Sequence, residues 1–357
     1  MVGTMKGLWL YRSNDKRNDF EVSGPHLAGK AIYSVAYDPS SNRLLAGASS
    51  MHWGALVHHS DDLGKTWVAP EEANVKFPEG SDWSLKQVWQ LHPTGDGKTV
   101  YAGVEPASLF RSTDAGESFE LVKGLYDHPH RPTWQPGGGG LCLHTIVIDP
   151  EDDQRIYVAI STGGVYRSTD GGESWAPANN GVRAEFLPEK YPEYGQCVHK
   201  IAMNPSEPRR FYLQNHWGLY RSDDGADTWY DIANGVPSDF GFPMVVHPHD
   251  PDTAYVIPLE SDMFRSTPEA KCRVYKTTDG GKSWGALTKG LPQKNAYVTV
   301  LRDSFVADAL QPAGLYFGTR DGVVFASNDE GDSWRQIAQH LPPVVAVKAA
   351  TLSDDQL

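Results

Sequence analysis

Apolar residues along this chain fall in short alternating runs, not at the three- and four-residue spacing of an amphipathic helix. His144-Thr-Ile-Val-Ile148, Arg155-Ile-Tyr-Val-Ala159 and Val165-Tyr-Arg167 are successive examples, rich in β-branched and aromatic residues. Gly, Pro, Asp, Asn or Ser bound each run, which reads as strands joined by tight turns. The order repeats. A first strand runs into a polar residue and a proline at Asp38-Pro39, His92-Pro93, Asp149-Pro150, Asn204-Pro205 and His247-Pro248. Proline cannot donate to a ladder, so it ends the strand at a turn. A second strand follows, as at Arg43–Gly47, Val100–Gly103, Phe211–Leu213 and Leu315–Gly318. A third, as at Leu109–Arg111, Leu219–Arg221 and Val274–Lys276, enters an eight-residue box. A fourth leaves it.

The box has the form Ser/Thr-x-Asp-x-Gly-x-Ser/Thr-aromatic. It occurs at Ser60–Trp67, Ser112–Phe119, Ser168–Trp175, Ser222–Trp229, Thr277–Trp284 and Ser327–Trp334, with Ala226 in place of one glycine. A worn copy begins at Ser13-Asn14-Asp15. A period of about 50 residues carrying four strands is one propeller blade. Its Asp accepts backbone N–H groups, its Gly takes φ > 0, and its Trp packs between blades. Met1–Ser13 aligns with Tyr316–Ser327 and so lacks an inner strand, which Val344–Leu352 can supply. The pattern predicts an all-β fold: one domain over 1–357, a seven-bladed propeller of four-stranded antiparallel blades. The C-terminal inner strand joins the N-terminal blade and closes the ring.

Strand alternation sorts the loops. The proline turns and boxes share one face with short, uniform connections. The opposite face carries the long insertions at 68–86, 120–141, 176–197 and 258–273, which is where a rigid scaffold usually places function. Composition narrows the partners. The formal net charge of −13 argues against nucleic acid and anionic membrane. No apolar run reaches the roughly 18 residues of a membrane span. The start of the chain has no signal-peptide pattern, and three cysteines are too few for a disulfide scaffold, so a cytoplasmic protein with reduced thiols is expected.

On the loop-rich face, counting back from each polar-Pro junction picks out Tyr33, Gln87, His144, His199 and Phe242 as a ring. His144 and His199 sit in matched Cys-x-His contexts. His52 and His216 sit in matched His-Trp-Gly turns. Histidine near neutral pH serves as acid, base or metal ligand. His144 and His199, with Tyr33, Tyr194 and Glu105, are therefore the catalytic candidates. His52, His144, His199 and His216 are candidate ligands for a divalent metal. Trp53, Trp83, Trp134 and Trp217 offer flat faces to sugar rings. With His52, His216, Gln87, Arg183, Glu185 and Arg320 they make up the expected substrate-binding set.

The boxes resemble the Asp-box, or bacterial neuraminidase, repeats of sialidase-like propellers, along nearly the whole chain. Gly137–Pro150 and Gly181–Pro205 are also similar to a bacterial group often labelled glycosyl hydrolase or sialidase-like by its repeats. The resemblance implies the propeller. It does not carry over sialidase chemistry: true sialidases have six blades and an Arg-Ile-Pro motif, which is absent here. Seven-bladed relatives include His/Tyr polysaccharide lyases and xyloglucan-type hydrolases. The expected function is a carbohydrate-active lyase or hydrolase acting on a small, acidic, saccharide-like substrate. The alternative is a non-catalytic propeller that binds a ligand or protein.

Overall fold

The computed structural model describes residues 1–50, 52, 54–81 and 83–353. It contains seven antiparallel sheets, arranged as the seven blades of a propeller. Blade 1 joins the two ends of the described chain. Val344–Val347 is its inner strand, followed outward by Val2–Thr4, Gly7–Arg12 and Glu21–His26. Val2 pairs with Val347 and Gly3 with Ala346, so the C-terminal strand closes the ring as expected. The inner strands of blades 2 to 7 are Ala31–Asp38, Gln87–Pro93, Leu143–Asp149, Val198–Asn204, Gly241–Val246 and Phe305–Ala307. Blade 2 departs from the four-stranded expectation. It has three strands, and its outer edge is a single bridge between His59 and Val68.

The box acts as a staple for the outer hairpin. In blade 4, Ser168 Oγ donates to Asp170 Oδ1 at 2.7 Å and accepts the Gly172 N–H at 2.8 Å. The Ser174 N–H and Oγ donate to the two Asp170 oxygens at 2.9 and 2.5 Å. Those donors, the Ser174 hydroxyl first, hold the Asp170 carboxyl down at about 2. The same lattice recurs at Asp62, Asp114, Asp224, Asp279 and Asp329. Ala226 adopts φ 68° and still donates to Ser222 Oγ at 3.0 Å, so the turn survives without its glycine. The worn copy at Ser13–Asp15 has a different tie. There Arg17 pairs with the buried Asp308 of blade 7 at 3.1 Å.

The box aromatic then locks blade to blade. Trp229 is 4% exposed and packs with Tyr157, Val165, Val198 and Phe211, a cluster drawn from blades 4 and 5. Its Nε1 donates across the interface to Ala178 O at 2.9 Å. Its backbone N–H donates to Asn180 O at 2.8 Å. Burying such a side chain contributes about 2–3 kcal/mol. The residue after Asn180 must be glycine. Gly181 has φ +97°, and a Cβ there would strike the Trp229 carbonyl oxygen. Lys289-Gly290 grips Trp334 in the same way between blades 6 and 7.

Gly181→Ala should therefore lower unfolding stability by more than about 2 kcal/mol, because left-handed backbone and a backbone clash add. Chemical denaturation of the variant checks this, and a change below 0.5 kcal/mol would contradict the clasp.

Candidate functional site at the channel mouth

Five inner strands carry the same irregularity near their start. The register slips around Tyr33 in blade 2, Trp89 in blade 3, His144 in blade 4, His199 in blade 5 and Phe242-Pro243 in blade 6. A bulge leaves one residue out of the ladder and re-aims its side chain, and bulges concentrate beside functional sites. The result is a ring of re-aimed side chains at the loop-rich mouth. Its blade 3 member is Trp89, not Gln87. Pro93 lies inside its strand, paired with Val100, whereas Pro39, Pro150 and Pro205 follow theirs. Counting back from Pro93 therefore lands two residues early.

Three of these residues, Tyr33, Trp89 and Phe242, wall a cavity of about 380 Å³. Tyr33, Trp89 and Phe242 supply aromatic surface, and the Tyr33 and Trp89 rings meet edge-on with centroids 5.0 Å apart. Arg302 reaches across the mouth. Its guanidinium lies 5.3 Å from the Trp89 ring and 6.0 Å from the Phe242 ring, and its Nη1 donates to Cys142 Sγ at 3.5 Å. Arg265 lies over Phe242 at 5.4 Å, and Arg320 is an exposed wall residue. Among the described residues, none of these three arginines forms an ion pair with a carboxylate. The cavity acids are differently placed. Asp303 is buried and bound to Lys200 Nζ at 2.6 Å. Glu105 accepts from Trp89 Nε1 at 3.1 Å, with Lys86 Nζ 3.8 Å away. The mouth is thus locally cationic on a chain of strongly negative net charge.

Four of the expected site residues line this cavity: Tyr33, Gln87, Glu105 and Arg320. His144 is not among the residues that line it. It is fully buried, its Nε2 donates to Val198 O at 2.9 Å, and its Nδ1 accepts from Thr145 Oγ1 at 2.9 Å. Both nitrogens are used, so it is a strut between blades 4 and 5. His199 donates from Nδ1 to Gly241 O at 2.5 Å and packs on Phe242. Burial, then the charge of Arg302, holds both histidines well below the usual histidine range, so both are neutral.

The remaining candidates are dispersed under the long loops. Tyr194 stacks on His130 at 3.8 Å. Trp134 is buried, with Nε1 donating to Tyr166 OH at 3.0 Å. Trp83 carries Arg131 on its face and packs edge-on against Phe77. Trp217 packs on Phe186 and His216. Arg183 is engaged by Glu185 and Asp239. His52 is exposed, while Trp53 lies outside the described residues. Satellite packing explains these placements: each long loop needs its own small apolar core. Sequence reasoning missed Trp89 and Arg302, and the partnership of Phe242 with Arg302 and Arg265. The signal for Arg302 was an inner strand before Leu315 that lacks the polar-Pro junction.

Among the described residues, one potential metal cluster is present. Donor atoms of Cys197, His199 and His216 all lie within 4.8 Å of one another. The expected ligands His144 and His52 are not in it. Burial pushes the Cys197 thiol up to about 11, which leaves it protonated and a poor nucleophile. A larger cavity, about 500 Å³, opens on the box face beside blade 1, but its Arg17 and Asp308 neutralise each other.

The buried histidines set the acid response. His58 is 1% exposed, and burial followed by the charge of Lys30 lowers it to about 4. The unfolded chain, with histidine near 6.5, then binds more protons than the native state between about pH 6.5 and pH 4. Stability is complete above that window and lost as pH falls through it. Urea unfolding should show a midpoint that falls from pH 7 to pH 5, and His58→Gln should flatten the slope. An unchanged slope would remove His58 from this account.

A family profile described as "Sortilin-Vps10: Sortilin, neurotensin receptor 3" matches residues 165–294, less than half of the chain. Curated relatives include a xyloglucanase of Paenibacillus sp, 25% identical over 239 residues, covering 61% of this chain and 22% of that protein. An oligoxyloglucan-reducing end-specific xyloglucanase of Emericella nidulans is 23% identical over 327 residues, covering 82% and 38%. The chain thus spans well under half the length of these relatives. Among solved structures, the GH74 xyloglucanase of Xanthomonas campestris superposes with a TM-score of 0.60 at 19% identity, covering 92% of this chain and 47% of that one. YCF48 bound to D1 peptide superposes at 0.55 and 13% identity, covering 94% and 88%. At these identities the structural likeness shows the propeller fold. Both of these curated relatives are named as xyloglucanases, and neither as a sialidase.

Proposed function

We propose that this propeller is a carbohydrate-active protein whose channel mouth takes an acidic saccharide. The observation that carries the reading is the trio Arg265, Arg302 and Arg320, without carboxylate partners among the described residues, around an aromatic cavity. A planar guanidinium matches a carboxylate in two parallel hydrogen bonds. Trp89 and Tyr33 offer the apolar faces that a pyranose ring covers. Arg302 is held on Trp89 and Phe242, so little side-chain freedom is lost when it binds.

Turnover in this reading runs through Glu105. With Asp303 committed to Lys200, Glu105 is the carboxylate left to exchange a proton with substrate, and Tyr33 is the nearby hydroxyl donor. This replaces the histidine acid and base roles, because His144 has no free nitrogen and His199, packed on Phe242, is not among the residues that line the cavity. The relatives' names support a saccharide substrate and hydrolysis.

A second reading has its own support. The YCF48 structure, bound to a peptide, matches this chain over nearly the full length of both. Met263, Phe264 and Tyr297 are 90%, 54% and 62% exposed in loops of the mouth face. On that reading the arginines hold a peptide carboxylate and no bond is broken.

Calorimetric titration against a uronate-containing oligosaccharide, a xyloglucan oligosaccharide and a peptide ending in a free carboxylate separates the two. The uronate should bind, and Arg302→Ala should weaken it about 10- to 100-fold, with Arg302→Lys recovering part of the loss. Glu105→Gln should leave binding intact and cut product formation at least about 100-fold. Peptide binding without turnover of either saccharide would favour the second reading. Unchanged affinity in Arg302→Ala would remove the site.

A further inference from the structure

We propose that Cys197, His199 and His216 form a binding site for a thiophilic divalent ion such as Zn(II). Three donors of the right chemical type already converge within 4.8 Å of one another. Thiolate and imidazole together are the ligands that zinc takes in tetrahedral sites.

The geometry prepares the ligands one by one. Cys197 and His199 sit at the start of the blade 5 inner strand, where the bulge at His199 re-aims its ring. His199 donates its Nδ1 proton to Gly241 O, which fixes the tautomer and leaves the Nε2 lone pair free. That Nε2 faces the Cys197 sulfur at 3.7 Å. Metal-binding histidines show this outer arrangement, the second nitrogen donating to a backbone carbonyl. His216 comes from the turn between the second and third strands. Its backbone N–H donates to Cys197 O at 2.9 Å, which ties the turn to the strand that carries the thiol. Phe240 and Trp217 hold its ring, with centroids 5.0 and 4.2 Å away. Asp262, from the long loop of blade 6, places a carboxylate oxygen 3.7 Å from His216 Nε2, beside the converging trio and not within it, which leaves the fourth position of a tetrahedral ion to water.

Charge is consistent with a dication. Arg265 and Arg302 both act on His199 and oppose a bare cation. A Cys197 thiolate on the ion and the Asp262 carboxylate beside His216 offset two positive charges. The packing of His199 on Phe242 places this site behind the cavity wall and not within the cavity. Its presence does not depend on which ligand the mouth takes.

The test uses the full chain, stripped with chelator and titrated with Co(II). Wild type should develop a thiolate-to-cobalt charge-transfer band that saturates at one ion per chain and is displaced by Zn(II). Cys197→Ser should lose the band, and His216→Gln should weaken cobalt affinity about 10- to 100-fold. Zn(II) should raise the melting temperature of wild type and not of Cys197→Ser. His216 is half-buried at the mouth, so His216→Gln keeps the test open if Cys197→Ser folds poorly. A folded wild type without the band, or a band that persists in Cys197→Ser through Cys142 or Cys272, overturns the proposal.

Discussion

Everything in this molecule depends on how each outer turn delivers its aromatic residue to the neighbouring blade. A propeller blade is too small to bury its own apolar faces. Closure of the ring and the tryptophan contacts between blades supply the missing burial. The box makes this possible by satisfying its own backbone donors with one carboxylate and one hydroxyl. The turn can then stand at the solvent edge while the tryptophan points inward.

That rigidity is what the opposite face uses. Bulges recur at one level in five inner strands, so five side chains leave the ladder in a ring. Two of them tie neighbouring blades together. His144 bonds to the next blade, and His199 bonds to the one after. The remaining positions, Tyr33, Trp89 and Phe242, line the mouth and seat Arg302. Local cationic charge on an acidic protein follows from placement. Each box on the far face holds an Asp in a turn where it is consumed as a hydrogen-bond acceptor.

The proposed metal cluster and the cavity share one wall, because His199 packs on Phe242. They use different chemistry. One collects soft donors from blade 5 and its loops, and the other collects guanidinium groups from blades 6 and 7. Neighbouring blades with the same backbone thus present unrelated sites, which is how a single repeat can serve different ligands.

The sequence by itself determined the blades, their order and the face on which long loops gather. Those features depend on local rules: alternation with period 2, proline at strand ends, and a turn that needs Ser, Asp and Gly at fixed offsets. It also picked out Tyr33, Glu105 and Arg320 as mouth residues. Only the tertiary structure decided what each side chain meets there. The two-residue shift from Gln87 to Trp89 arises because Pro93 is paired inside its strand, a fact of register. His144 looked equivalent to His199 in sequence, yet a carbonyl and a hydroxyl 2.9 Å away exhaust its nitrogens. Cys197 meets His216, and Arg302 meets Trp89, across separations that no local pattern encodes. Convergence of side chains from different blades depends on ring curvature and bulge direction, and both are set by long-range packing.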